Sequence, residues 1–173
     1  MFEQLLYFLM RLWHRGSVKT KPQVPILDDF DATRYLGKWY EIKRLDHLFE
    51  RGVSSACAEY TALTGGRFLV TNTGVKKGRK QRFIATAKPT DIKNFYKIAP
   101  KAFPFFQADY RVAWVDADYQ YAIVCSTSFD YLWLLSRQLY IPADVMAQML
   151  DTCHQLGFDT ERLIDGQVAY FRT

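Results

Sequence analysis

Between Trp39 and Arg137 the chain reads as eight short segments of strand composition, each closed by a turn signal. That succession limits the fold more than any other feature. The segments fall at residues 39–45, 53–63, 68–73, 81–88, 94–98, 107–115, 119–126 and 131–137. They are rich in aromatic and β-branched residues. The breaks between them hold Thr64-Gly65-Gly66, Lys76-Lys77-Gly78-Arg79, Pro89, Pro100 with Pro104, and Asp116-Ala117-Asp118. Many short strands separated by turns predict an all-β sandwich or barrel. Short connections between consecutive strands favour an up-and-down antiparallel barrel, which removes exposed edges by closing on itself. With eight strands, such a barrel has room for one small ligand.

One helix stands out after the strands. Pro142 suits its first turn and Gly157 the position past its end. Val145, Met149, Cys153 and Leu156 fall on one stripe, so the helix packs against something apolar; a methionine stripe can line a binding groove, but core packing is the expected use. The expected fold class is therefore all-β, an eight-stranded barrel with one C-terminal α-helix packed outside, and residues 163–171 offer a ninth strand. At 173 residues the chain suits one domain. Residues 1–30 read as an apolar segment and extended arm, and residues 31–173 as the barrel domain.

The apolar run Leu5-Leu6-Tyr7-Phe8-Leu9-Met10 is far too short to span a bilayer. Glu3 and the lack of an Ala-x-Ala site argue against a signal peptide, and no cysteine follows to carry a lipid anchor. An interfacial helix, a truncated signal and a helix packed on the domain all remain open. Asp28-Asp29-Asp31 lacks the glycine and glutamate that complete a calcium loop; it reads as a cap for a helical turn starting at Ala32. Cys57, Cys125 and Cys153 are too few and scattered for a disulfide framework or zinc site, and fit either one bridge or three thiols. No metal or other cofactor is expected.

If successive strands alternate direction, three distant motifs converge at one closed end of the barrel. They are Gly37-Lys38-Trp39-Tyr40-Glu41, Asp118-Tyr119, and Tyr131-Leu132-Trp133-Leu134-Leu135-Ser136-Arg137. Gly37 allows a close approach or a positive φ before the indole. Taken together, these motifs resemble the lipocalin family, specifically its bacterial, apolipoprotein-D-like branch, over residues 31–162. The resemblance implies a structural role for Gly37, Trp39, Asp118, Tyr119 and Arg137, with the Arg137 guanidinium stacked on Trp39 at the barrel foot. Ala117 stands where many members carry threonine, which weakens one local hydrogen bond. The resemblance further implies a protein of the bacterial cell envelope, in the periplasm or at the outer membrane, that stores or moves membrane lipids.

Alternation puts four loops at the other end. They bring Phe49 and Arg51, the cations Lys76, Lys77, Arg79 and Lys80 with Arg82 just beyond, and Phe103 with Phe105 around Pro104. Strand parity adds Trp39, Glu41, Tyr131 and Trp133 to the candidate lining. A buried carboxylate such as Glu41 needs a partner or a raised pKa. An apolar cup with a cationic, aromatic rim suits a fatty acid or lysophospholipid, and the net charge of +5 suits an anionic partner or contact with a membrane surface. No nucleophile elbow, zinc-protease helix or phosphate loop appears, so no catalytic residue is assigned. No nucleic-acid partner is expected, but a basic, aromatic-rich β-barrel that binds single-stranded nucleic acid stays as an alternative function. It ranks well below ligand binding because it needs cations and aromatics alternating on a sheet face, and here the cations cluster in a turn. An envelope interaction protein with a vestigial cavity is the third reading.

Overall fold

The computed structural model describes residues 21–47 and 50–166. The N-terminal apolar run and Phe49 lie outside the described residues. The strands are β1 (Gly37–Leu45), β2 (Val53–Ala62), β3 (Phe68–Lys76), β4 (Arg79–Pro89), β5 (Phe95–Pro100), β6 (Ala108–Val115), β7 (Tyr121–Cys125), β8 (Leu132–Ser136) and β9 (Leu163–Asp165). Each of β1 to β7 pairs antiparallel with its successor, β8 pairs with β1 to close the ring, and β9 pairs antiparallel with the end of β1. A single helical turn, α1 (Ala32–Tyr35), precedes the barrel, and α2 (Ala143–Gln155) follows it. The Asp31 carboxylate accepts the Thr33 backbone N–H at 2.8 Å, so the acidic cluster does contain a helix cap.

Two apolar groups divide the packing. Inside the barrel foot, Tyr35, Trp39, Tyr60, Phe68, Tyr96 and Tyr110 pack ring against ring. Outside, Met149 and Cys153 of α2 bury against Ile123, Cys125, Leu132 and Leu134. The helix stripe thus covers the outer faces of β7 and β8. Cys57, Cys125 and Cys153 are all free thiols. Burial pushes the thiols of Cys125 and Cys153 up to about 12.

The foot follows the expected geometry. The Arg137 guanidinium lies 3.8 Å from the Trp39 ring centre. It also donates to the carbonyls of Tyr119 (3.1 Å), Lys38 (2.8 Å) and Arg34 (2.8 Å), joining three segments. Gly37 has φ +90°, and a Cβ there would sit 3.4 Å from Arg137 Nη1. In the β6–β7 turn the Asp116 carboxylate accepts the backbone N–H of Asp118, Gln120 and Tyr121, and the Asp118 carbonyl accepts the Gln120 side-chain amide. Tyr119 contributes its hydroxyl, which accepts the Asp31 N–H at 2.7 Å. Below the ring, the buried Asn94 side chain ties down the arm before β1. It donates to Pro25 and Val112 carbonyls and accepts from the Leu27 N–H.

Two strands run further than their composition suggests. β3 continues to Lys76 and β4 begins at Arg79, leaving the two-residue turn Lys77-Gly78. Both turn residues have positive φ, 51° and 71°, the conformation a tight hairpin demands. The cations are therefore strand ends and turn tip rather than a loop.

Candidate functional site

Residues alternate inward and outward along each strand. Tyr60, Val70, Ala85, Val124 and Leu135 consequently line a cavity of about 590 Å³ above the aromatic foot. Its floor holds a chain of three buried tyrosine hydroxyls. Tyr110 is the hub, 2.6 Å from the Tyr35 hydroxyl and 2.7 Å from that of Tyr60. Burial pushes the Tyr60 phenol up to about 12 and the other two well above their ordinary range, so all three stay neutral.

One wall is polar. A bulge in β1 between Glu41 and Lys43 resets the alternation, so Glu41 and Arg44 both point inward. Arg44, 1% exposed, donates to Glu41 Oε1 at 2.6 Å and to the carbonyls of Glu50 (3.0 Å) and Val53 (2.9 Å). Glu50 accepts the Trp133 indole N–H at 3.1 Å and lies 3.3 Å from His47 Nε2. The His47 ring packs against Tyr131 and Trp133 at 5.0 and 5.5 Å between centres. Burial and the neighbouring Glu50 charge hold the Glu41 carboxyl well above its ordinary value. Burial opposes the charge on Glu50 too, but His47, the indole N–H and Arg44 outweigh it and hold that carboxyl low. Around the one guanidinium, the wall thus biases Glu41 toward the protonated form and Glu50 toward the charged form.

Among the sequence-derived candidates, Glu41, Phe103, Tyr131, Trp133, Lys76 and Arg82 border the cavity. Lys76 shares the inner parity of Val70 and Asn72, whereas Arg82 is exposed and falls on the outer parity of β4. Trp39 lies beneath the cavity, fully buried, its indole N–H bound to the Tyr35 carbonyl at 2.8 Å. Phe105 is 73% exposed and lies outside the lining, as do Lys77, Arg79 and Lys80. Arg51 pairs with Asp46 at the surface. Sequence reading missed Arg44, Glu50, Tyr60 and Tyr110. The tyrosines carried a signal, since Tyr60 and Tyr110 have the inner parity of their strands; Arg44 carried none, because only the bulge turns it inward.

The family model for the lipocalin-like domain matches residues 30–167. The chain belongs to the lipocalin family. It is 37% identical over 151 residues to the outer membrane lipoprotein Blc of Escherichia coli K12, covering 86% of this chain and 85% of that one. It is 31% identical over 151 residues to mouse apolipoprotein D (Mus musculus), covering 82% and 79%. Among solved structures, insecticyanin from the tobacco hornworm Manduca sexta superposes with a TM-score of 0.69 at 19% identity, covering 87% of each chain. Lipocalins are in general binding proteins for small hydrophobic molecules rather than enzymes, and this lipocalin has a cavity in the size range of small-molecule sites. Among the described residues no group of His, Cys, Asp and Glu is arranged to hold a metal ion.

Proposed function

We propose that this lipocalin carries a single-chain amphiphile with an anionic head, a fatty acid or a lysophospholipid, in the bacterial cell envelope. The observation that carries the reading is the gradient along the cavity. Its depth is lined by Val70, Ala85, Val124 and Leu135, while Lys76 and Lys101 border it where the loops open. A buried tail contributes about 0.8 kcal/mol per methylene, and the two ammonium groups favour a carboxylate or phosphate near the rim. The likeness to a protein named as an outer membrane lipoprotein supports the envelope location.

The test compares a fatty acid with the neutral alcohol of equal length, each displacing a fluorescent lipid. Replacing Lys76 and Lys101 with serine should weaken the acid and leave the alcohol nearly unchanged. Added salt should mimic the change, since rim charges are screened beyond about 8–10 Å. Trp133 should become protected from an aqueous quencher when lipid binds. Equal binding of acid by both proteins at low salt would overturn the anionic-head assignment, and an unprotected Trp133 would remove it from the site.

A further inference from the structure

The mouth carries more cation and more aromatic surface than the cavity uses. Lys77, Arg79 and Lys80 are exposed and stand outside the cavity lining, and the hairpin tip from Lys76 to Arg82 contains no carboxylate. The tip projects past its neighbour: β5 pairs with β4 only over Ala85–Pro89, so the β4 stretch 79–83 has no strand on that side. On the adjoining β5–β6 loop, Phe103, Phe105 and Phe106 form a cluster with centres 4.8 to 6.4 Å apart. Phe105 is its outermost member, 73% exposed. Cations on an exposed strand edge can serve simply to prevent edge pairing. That accounts for Arg79 and Lys80, but Lys77 is in the turn and Phe105 is on another loop.

We propose that the mouth end of this lipocalin docks on an anionic lipid bilayer. Phe105 enters the interface, and Lys77, Arg79 and Lys80 meet the headgroups. The proposal deepens the reading of the cavity as a lipid carrier, since this orientation opens the cavity toward the surface that supplies or receives its cargo. Charge complementarity selects the occupant. A basic segment is drawn to an anionic membrane surface, each cation adding to the attraction within a Debye length of it. An exposed aromatic beside that segment supplies apolar contact at the depth where interfacial side chains sit.

The full-length chain should be sedimented with vesicles of phosphatidylcholine alone and of phosphatidylcholine mixed with phosphatidylglycerol. Wild type should partition to the mixed vesicles and lose them at high salt. Replacing Lys77, Arg79 and Lys80 together by glutamine should lower the partition on the order of a hundredfold, and Phe105→Ser roughly tenfold or more. Neither variant should alter fatty-acid affinity in vesicle-free solution, because these residues lie outside the cavity lining. Failure of wild type to prefer the anionic vesicles, or unchanged partition in both variants, would overturn the docking surface whatever the solution affinities. Self-association of the lysine variant with unchanged partition would also overturn it, marking the cations as edge guards. Vesicle binding that the variants lose, in a protein without fatty-acid affinity, would uphold docking and overturn the cargo reading alone.

Discussion

Arg137→Ala tests how the barrel foot is held. The guanidinium makes three hydrogen bonds to carbonyls of α1, β1 and the β6–β7 turn, and one face covers the Trp39 indole at 3.8 Å. Charge-assisted bonds contribute about 1.5–3 kcal/mol each when sheltered. Here the side chain is only half-buried and water can replace it at the outer carbonyls, so about 1 kcal/mol each is the better figure. The stacking adds about 0.5–1 kcal/mol at such a site. Truncation should therefore cost about 3–4 kcal/mol. For a domain of this size each kcal/mol lowers the melting temperature by about 2–4 °C, giving a fall of roughly 6–16 °C. Arg137→Lys should recover less than half of that, because an ammonium cannot lie flat on the indole while reaching three carbonyls. Thermal unfolding followed by circular dichroism measures both variants. A melting temperature unchanged for alanine, or fully restored by lysine, would refute the argument that the planar fork closes the foot.

Tyr110→Phe removes the hub of the hydroxyl chain and leaves two buried phenols short of a partner, which should cost about 1–3 kcal/mol in urea denaturation; an unchanged midpoint would show that the hydroxyls re-pair. Cys57, half-buried, should react with a maleimide in the native protein while the buried Cys125 and Cys153 wait for unfolding, and mass spectrometry of the native adduct would contradict this if all three label together. The Glu41 carboxyl, raised by burial and by the Glu50 charge, holds a proton in the folded state that the unfolded chain releases above about 4.5. Stability should therefore fall as pH rises from that value toward the raised one, and Glu41→Gln should flatten the fall; equal slopes in both proteins between pH 5 and 8 would count against a protonated Glu41.

The fold was legible because its signals are local and repeated. Turn residues recur between segments of strand composition, and closure into a ring follows from eight strands with short connections. The foot was legible because three motifs had to meet once strand direction alternated, as Trp39 and Arg137 do. Turn chemistry at finer scale was not: Asp116 and Asp118 are equally plausible acceptors in sequence, and only the backbone path selects Asp116. The cationic hairpin shows a different limit. Charged residues lower the apparent strand character of β3 and β4 at their ends, yet a positive-φ pair at Lys77-Gly78 keeps the ladder intact to Lys76 and Arg79. Composition alone could not separate Lys76 and Arg82, which border the cavity, from Lys77, Arg79 and Lys80, which lie outside its lining.

The polar wall follows from how the ring closes. β1 pairs with β2 only over Gly37–Tyr40, and beyond that point its edge is taken by β9 at Lys43–Leu45. On this side of the mouth no ladder joins β1 to the start of β2. Arg44 takes its place, its guanidinium bridging from Glu41 on β1 to the carbonyls of Glu50 and Val53. Burying a guanidinium is costly unless it is paired; Glu41 and the two carbonyls take the Nη groups, while the buried Nε has no hydrogen bond and is 3.6 Å from the Glu50 carboxylate. Gly166 packs directly on the bulge, donating its N–H to the Ile42 carbonyl at 2.8 Å, and a Cβ there would collide with the Glu41 carbonyl oxygen. Strict alternation would have turned Lys43 inward, and its longer, more strongly hydrated side chain suits neither the fork nor the burial. The bulge turns Lys43 out to Asp165 and Arg44 in. Barrel closure and the polar face of the cavity are thus one arrangement of side chains, and altering Arg44 would change both together.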